Sequence, residues 1–383
     1  MSWSLKLLSV RGIEIKVHAT FVLILIWAAY FWGDRAGFGM RGAVFGVIAI
    51  LLLFVCVVLH ELGHSFVALH YGIGVRDIVL LPIGGVASLE QIPDKPRQEF
   101  NIAIAGPLVN VAIAAVLIVA GVILDAAAIL SPDAIDDQVR QTGASNMLTY
   151  ITTANIYLAV FNLIPAFPMD GGRVLRALLA MRIDYRRATE IAVGVGQAMA
   201  FLLGFAGFML GNFFLILIAV FVWFGASQEG QAVAVRSVLG RARVGEAMIR
   251  APRTLAPTDP LTRAAELTLN TAQSDFPVVD ENGHVVGLLT SEDVIRSLHQ
   301  QPGATIGQVM RTDFPVIPPE LPLVEAQGRF MEGQVRALPV VGTDHQLVGL
   351  LTVSDVSEAY RLLSARPALA RAHQSPPGGA VSS

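Results

Sequence analysis

Six apolar stretches fill the first 227 residues, at about 19–32, 43–59, 102–124, 147–167, 191–210 and 213–224. Several approach the ~20 residues that a helix needs to span a bilayer, and the first and last are shorter. A backbone crossing hydrocarbon must satisfy its own hydrogen bonds, so this pattern predicts a multi-pass α-helical membrane domain of about six helices. Over the 383 residues only 15% are charged and 54% are hydrophobic, against roughly 25% charged in soluble domains. After residue 227 the chain returns to ordinary soluble composition. A net charge of −3 gives no field for phosphate backbones, which argues against nucleic acid as a partner. The single cysteine, Cys56, permits no internal disulfide and lies in an apolar run, which reads as core.

Lys6, Arg11 and Lys16 precede the first stretch, as in a signal peptide, but that stretch ends in Tyr30-Phe31-Trp32 without a small-residue cleavage site and reads as a retained helix. Lys6, Arg11, Lys16, Arg76, Lys95, Arg97, Arg173, Arg176, Arg182, Arg186 and Arg187 fall on one side of the predicted spans, and only Arg35, Arg41 and Arg140 on the other. Cytoplasmic loops carry the excess of cations, so a cell membrane protein with both termini cytoplasmic is expected.

His60-Glu61-Leu62-Gly63-His64 ends the second stretch. At 100° per residue the two histidines project within about 40° of each other and can share one cation. Glu61 is then placed as a general base, the arrangement of a zinc hydrolase. Ionisable groups near hydrocarbon cost roughly 2.5–3.5 kcal/mol each on insertion scales, so three together call for a metal or for partners. Catalytic zinc keeps three protein ligands and an open position. His70, six residues after His64, is turned by about 120° and should point elsewhere. Asp170 is the better third ligand. It follows Asn162, Pro165 and Pro168 and precedes Gly171-Gly172, and broken backbone at that depth is tolerated only where it lines a protein cavity.

The HExxH motif on a membrane helix, followed by Asn162-x-x-Pro165-x-x-Pro168-x-Asp170-Gly171, resembles the site-2 protease family of intramembrane zinc metalloproteases. The similarity extends to the Gly84-Gly85 pair and to Gly106-Pro107-x-x-Asn110. It implies one zinc ion per chain held by His60, His64 and Asp170, with Glu61 as the catalytic base. It also implies that Asn162 and Pro165 hold an unwound membrane-protein substrate in regulated intramembrane proteolysis. Residues 75–89 read as a small interfacial β-hairpin, which either is purely structural or offers an edge that an unwound chain can join by strand addition. Gly106 and Pro107 read as ordinary helix packing, and Gly207-x-x-x-Gly211 as a weak dimerisation hint.

Beyond a connector at 228–243 the chain repeats itself with a constant offset of 62 residues: Pro277-Val278-Val279 returns as Pro339-Val340-Val341, and Gly287-Leu288-Leu289-Thr290-x-x-Asp293 as Gly349-Leu350-Leu351-Thr352-x-x-Asp355. The units, 244–301 and 306–363, resemble a soluble α/β tandem CBS domain pair. That resemblance implies adenine nucleotide (ATP, ADP or AMP) at Thr290, Asp293, Thr352 and Asp355, and allows homodimerisation. The same residues equally suit a threonine cap with an aspartate in the first helical turn. A disordered tail is expected from Ser364.

Two functions compete. One is an intramembrane protease gated by a cytoplasmic nucleotide-sensing pair, embedded in membrane lipid. The other is a CBS-regulated transporter or channel in which His60, Glu61, His64 and Asp170 bind a passing cation. Transport gives no reason for a glutamate between two helix-stacked histidines, and the six spans show no inverted repeat.

Overall fold

The computed structural model describes residues 4–372 except 83, 90–92, 94, 124–143 and 302. It divides into two compact units, Met1–Gln231 and Ala232–Ser383.

In the first unit, strands β1 (Ser4–Val10) and β2 (Ile13–His18) form a hairpin, with Arg11 and Gly12 both at positive φ in its turn. Strand β2 then pairs in parallel with β3 (Val75–Leu81), which pairs antiparallel with β4 (Gly84–Leu89). The expected hairpin is therefore half of a four-stranded sheet in the order β1-β2-β3-β4. Ile13, Ile15, Val75, Ile78 and Leu80 pack it onto the helices, and Lys16 ties it together through Glu14 (2.9 Å) and Asp77 (2.8 Å).

Helix α1 (Phe21–Tyr30) runs into a π turn at Phe31–Arg35, and α2 (Gly39–His70) follows. Next come α3 (Pro96–Ile123), α4 (Ala144–Asn162), α5 (Asp170–Ala180), α6 (Tyr185–Met209) and α7 (Phe213–Leu239). Among the described residues, α2, α3, α6 and α7 are long and apolar enough to cross a membrane. The first apolar stretch contributes only ten α-helical residues before its π turn, so it falls short of a full span. Outward faces of α6 and α7 carry Phe201, Phe205, Phe208, Phe213 and Phe214, each more than half exposed, which suits acyl chains and not water. Gly207 lets α6 and α7 approach closely, since a Cβ on it would stand 2.9 Å from that of Leu215, and Gly211 takes φ +63° in the turn between them. Arg140 and the acidic residues around it lie outside the described residues.

In the second unit, helix α8 (Val244–Ala247) leads to α9 (Leu261–Asn270), then β5 (Phe276–Val279) antiparallel to β6 (Val285–Leu289), then α10 (Ser291–Gln300). The second repeat gives α11 (Ile306–Val309), α12 (Leu323–Gly333), β7 (Ala337–Val341), β8 (Leu347–Thr352) and α13 (Val353–Ala372). The two repeats exchange their leading segments. Ile249 bridges to Leu350 and Arg311 to Leu288, while Met248 packs on Gly349 and Met310 on Gly287. Each pair recurs at the 62-residue offset, so neither repeat completes its sheet alone. Helix α13 continues to Ala372, nine residues past the point where disorder was expected to begin. Four alanines and Leu369 in 364–372 favour helix, against Pro367 in the same stretch. Residues 373–383 of the expected tail lie outside the described residues.

Candidate metal centre and its relatives

His60 and His64 occupy the last third of α2, and both are buried. Their Nε2 atoms are 3.0 Å apart, and each lies 3.2 Å from Oδ2 of Asp170, the first residue of α5. Three donors held about 2.0–2.1 Å from a tetrahedral zinc ion stand about 3.3 Å from one another, so the spacing fits such an ion.

The protonation pattern points the same way. Asn155 Nδ2 donates to the Ile151 carbonyl (2.8 Å), which turns Asn155 Oδ1 toward Asn110 Nδ2 (2.8 Å). Asn110 Oδ1 therefore faces His60 Nδ1 and must accept its proton. His64 Nδ1 in turn donates to the Ile102 carbonyl, 2.6 Å away. With Nδ1 engaged in each ring, the neutral form of each imidazole would turn its Nε2 lone pair toward the other ring and toward a carboxylate, an arrangement that a shared cation stabilises.

Local packing explains the flanking glycines. A Cβ on Gly106, in α3, would lie 2.2 Å from His64 Nε2 and 2.7 Å from His60 Nε2, so its missing side chain leaves the two Nε2 atoms uncovered. A Cβ on Gly171 or Gly172 would strike backbone atoms of 163–167, so the glycine pair lets the broken segment fold onto the first turn of α5 and deliver Asp170. Gly85, on β4, stands against Glu61, whose Cγ would be 2.7 Å from its Cβ. Glu61 is also within Coulombic range of His60, His64 and Asp170.

His70 ends α2 exposed, stacked edge-on against Tyr71 and away from the cluster, as its rotation predicts. Asn162 ends α4, half-buried, and Pro165 lies exposed in the turn before Asp170. The second-layer role of Asn110, the part played by Asn155 and the space at Gly106 escaped the sequence reading. Only Gly106-Pro107-x-x-Asn110 within an apolar helix hinted at them.

In the second unit Thr290 caps α10: Asp293 N–H donates to its hydroxyl (3.2 Å), and that hydroxyl donates to Asp293 Oδ2 (2.6 Å). Thr352 and Asp355 repeat the arrangement on α13 at 3.2 and 2.7 Å. Burial pushes the Asp293 carboxyl up, but hydrogen bonds from Arg311 and Thr290, with the charges of Arg311 and Arg296, hold it below the usual carboxylate range. The helix-capping alternative is thus what these side chains do here.

Comparison with known proteins agrees with the geometry. The family model described as Peptidase family M50 matches residues 48–203, and that of the CBS domain matches 244–300 and 306–362. A zinc metalloprotease of Methanocaldococcus jannaschii is 34% identical over 370 residues, covering 96% of this chain and 99% of that protein. Stage IV sporulation protein FB of Bacillus subtilis is 27% identical over 157 residues, 41% of this chain and 49% of that one. The solved site-2 protease from Methanocaldococcus jannaschii is 39% identical, covers 60% of this chain and 95% of its own, and superposes with a TM-score of 0.43. The chain belongs to peptidase family M50, the site-2 protease family of membrane-embedded zinc metalloendopeptidases, and carries a pair of CBS domains after its protease region.

Proposed function

We propose that the chain cleaves a peptide bond in or near a membrane-spanning segment of another protein, using His60, His64 and Asp170 as zinc ligands and Glu61 as general base. The convergence of His60 Nε2, His64 Nε2 and the Asp170 carboxylate, 3.0–3.2 Å apart, carries this reading. When bound, zinc supplies Lewis-acid polarisation of the scissile carbonyl and acidifies a water. Glu61 takes the proton from the attacking water and returns it to the leaving amine. The Asn155-Asn110-His60 chain keeps the His60 lone pair aimed inward, and the Ile102 carbonyl does the same for His64.

A helical substrate hides its carbonyls in its own hydrogen bonds and must unwind before attack. Among the described residues strand β4 pairs only with β3, and Gly85 abuts Glu61, so a chain added along the other side of β4 would pass near the base. Asn162, at the end of α4, and Pro165, in the turn leading into Asp170, are the residues that hold that unwound chain on this reading. Both termini and the CBS pair face the cytoplasm, following the loop charges.

Metal content tests the ligand set. Asp170→Ala is expected to lower zinc affinity by at least about a hundredfold, because three-ligand closure is lost, and His70→Ala to leave it unchanged. The reverse pattern, read by elemental analysis of both purified variants, would reassign the third ligand.

The CBS pair, on this reading, binds adenine nucleotide and gates proteolysis. A ligand does so only by binding two arrangements of the chain unequally. The Thr290-Asp293 and Thr352-Asp355 pairs are the recognition groups, and a ligand at Asp293 must compete with Arg311, 2.8 Å from it. Replacing Asp293 and Asp355 together by Ala should weaken ATP and ADP binding about tenfold and abolish their effect on cleavage, with zinc content unchanged. Absence of nucleotide binding to the parent chain at millimolar concentration, measured by calorimetry, would leave the pair as a dimerisation or docking module.

A further inference from the structure

Asp170 is delivered by an irregular turn, 163–169, and one side chain holds the chain on both sides of it. Arg176, on α5 and 3% exposed, directs Nε and Nη2 to a single carboxylate oxygen of Glu99 on α3, at 2.7 and 2.5 Å. Its Nη1 donates to Glu229 on α7, at 2.6 Å. The guanidinium also lies over the rings of Phe167 (4.9 Å) and Tyr185 (5.2 Å). Phe167 is three residues before Asp170 and Arg176 is six after it, so the turn and the helix that meet at Asp170 are gripped by the same group.

Helix α7 forms the wall behind this turn. A Cβ on Gly225 would stand 2.6 Å from Pro168 Cδ, and Ala226 packs with the fully buried Phe167. Gly225 and Glu229 are four residues apart and therefore share a helix face. An arginine this deeply buried is expensive unless paired, and two carboxylates on different helices offset that expense. None of these groups takes part in the proton transfers assigned to Glu61.

We propose that Arg176 and Glu229 are positioning residues that register Asp170 against α7 and so set the geometry of the zinc ligands. This rests on Asp170 being a ligand. Removing Arg176 would leave Glu99 buried without a cation and endanger the fold, so Glu229, with its side chain 29% exposed, is the site to vary. Zinc affinity is measured on the full chain in detergent by competition with a chromogenic chelator, for the parent, Glu229→Gln, Glu229→Asp, Asp170→Ala and the Asp170→Ala/Glu229→Gln double variant. Glu229→Gln should weaken zinc about tenfold and the charge-keeping Glu229→Asp by less. With Asp170 already absent, Glu229→Gln should cost nothing further, because its effect travels through that ligand. Unchanged affinity in Glu229→Gln, or the same tenfold loss in the Asp170→Ala background, would overturn the proposal. Unchanged affinity in Asp170→Ala would overturn the ligand assignment instead, and the proposal with it.

Discussion

Glu61→Gln is expected to bind zinc as the parent chain does and to cleave its substrate at least a hundredfold more slowly, within the roughly 10²–10⁴-fold that a positioned general base contributes. The amide occupies the volume of the carboxyl, so the contact with Gly85 on β4 survives. His60, His64 and Asp170 are untouched, and their inward lone pairs depend on Asn110 and Ile102, not on Glu61. What the substitution removes is an acceptor for the water's proton. Zinc content and cleavage are measured on the same preparation. Cleavage near the parent rate by a zinc-loaded variant would take Glu61 out of the chemistry.

Gly106→Ala should be as severe by the opposite route, losing zinc while every ligand and the base remain. Its methyl would stand 2.2 Å from His64 Nε2 and 2.7 Å from His60 Nε2. Neither ring can retreat, since each is fixed from behind by its Nδ1 hydrogen bond. Withdrawing helix α3 would open its close packing on α2 at Gly63, where a Cβ would lie 3.1 Å from the Ala105 carbonyl oxygen. The purified variant should hold less than about a hundredth of the parent's zinc affinity, the upper range for a disturbed ligand shell. Stoichiometric zinc in Gly106→Ala would show that the ion does not sit between the three donors.

The cluster of His60, His64 and Asp170 was legible in the sequence because helical spacing alone places His60 beside His64, and because prolines and a glycine pair announce a broken segment at Asp170. The rotation that removes His70 was legible for the same reason. Two features were not. Ile13-Glu14-Ile15-Lys16-Val17 alternates as a strand should, but Lys16, with Lys6 and Arg11 before it, was read as flanking charge for the first span, so the N-terminal half of the sheet was missed. The polar chain through Asn110 and Asn155 joins residues 45 apart on different helices, and no spacing rule reaches across such a gap. Glycines mislead in a related way. Gly106 and Gly207 look alike in an apolar helix, yet one leaves room beside two histidine rings and the other for a neighbouring helix.

The central claim is that the three converging donors serve peptide hydrolysis inside the membrane. It is tested most directly by incubating the purified full-length chain with a single-span substrate protein in detergent, with zinc counted and fragments identified by mass spectrometry. The account predicts one zinc per chain and two new termini in or next to the substrate's apolar segment, with cleavage lost to a chelator and restored by added zinc. Stoichiometric zinc with an intact substrate, together with zinc-dependent cation flux in vesicles holding the chain, would contradict it and favour transport.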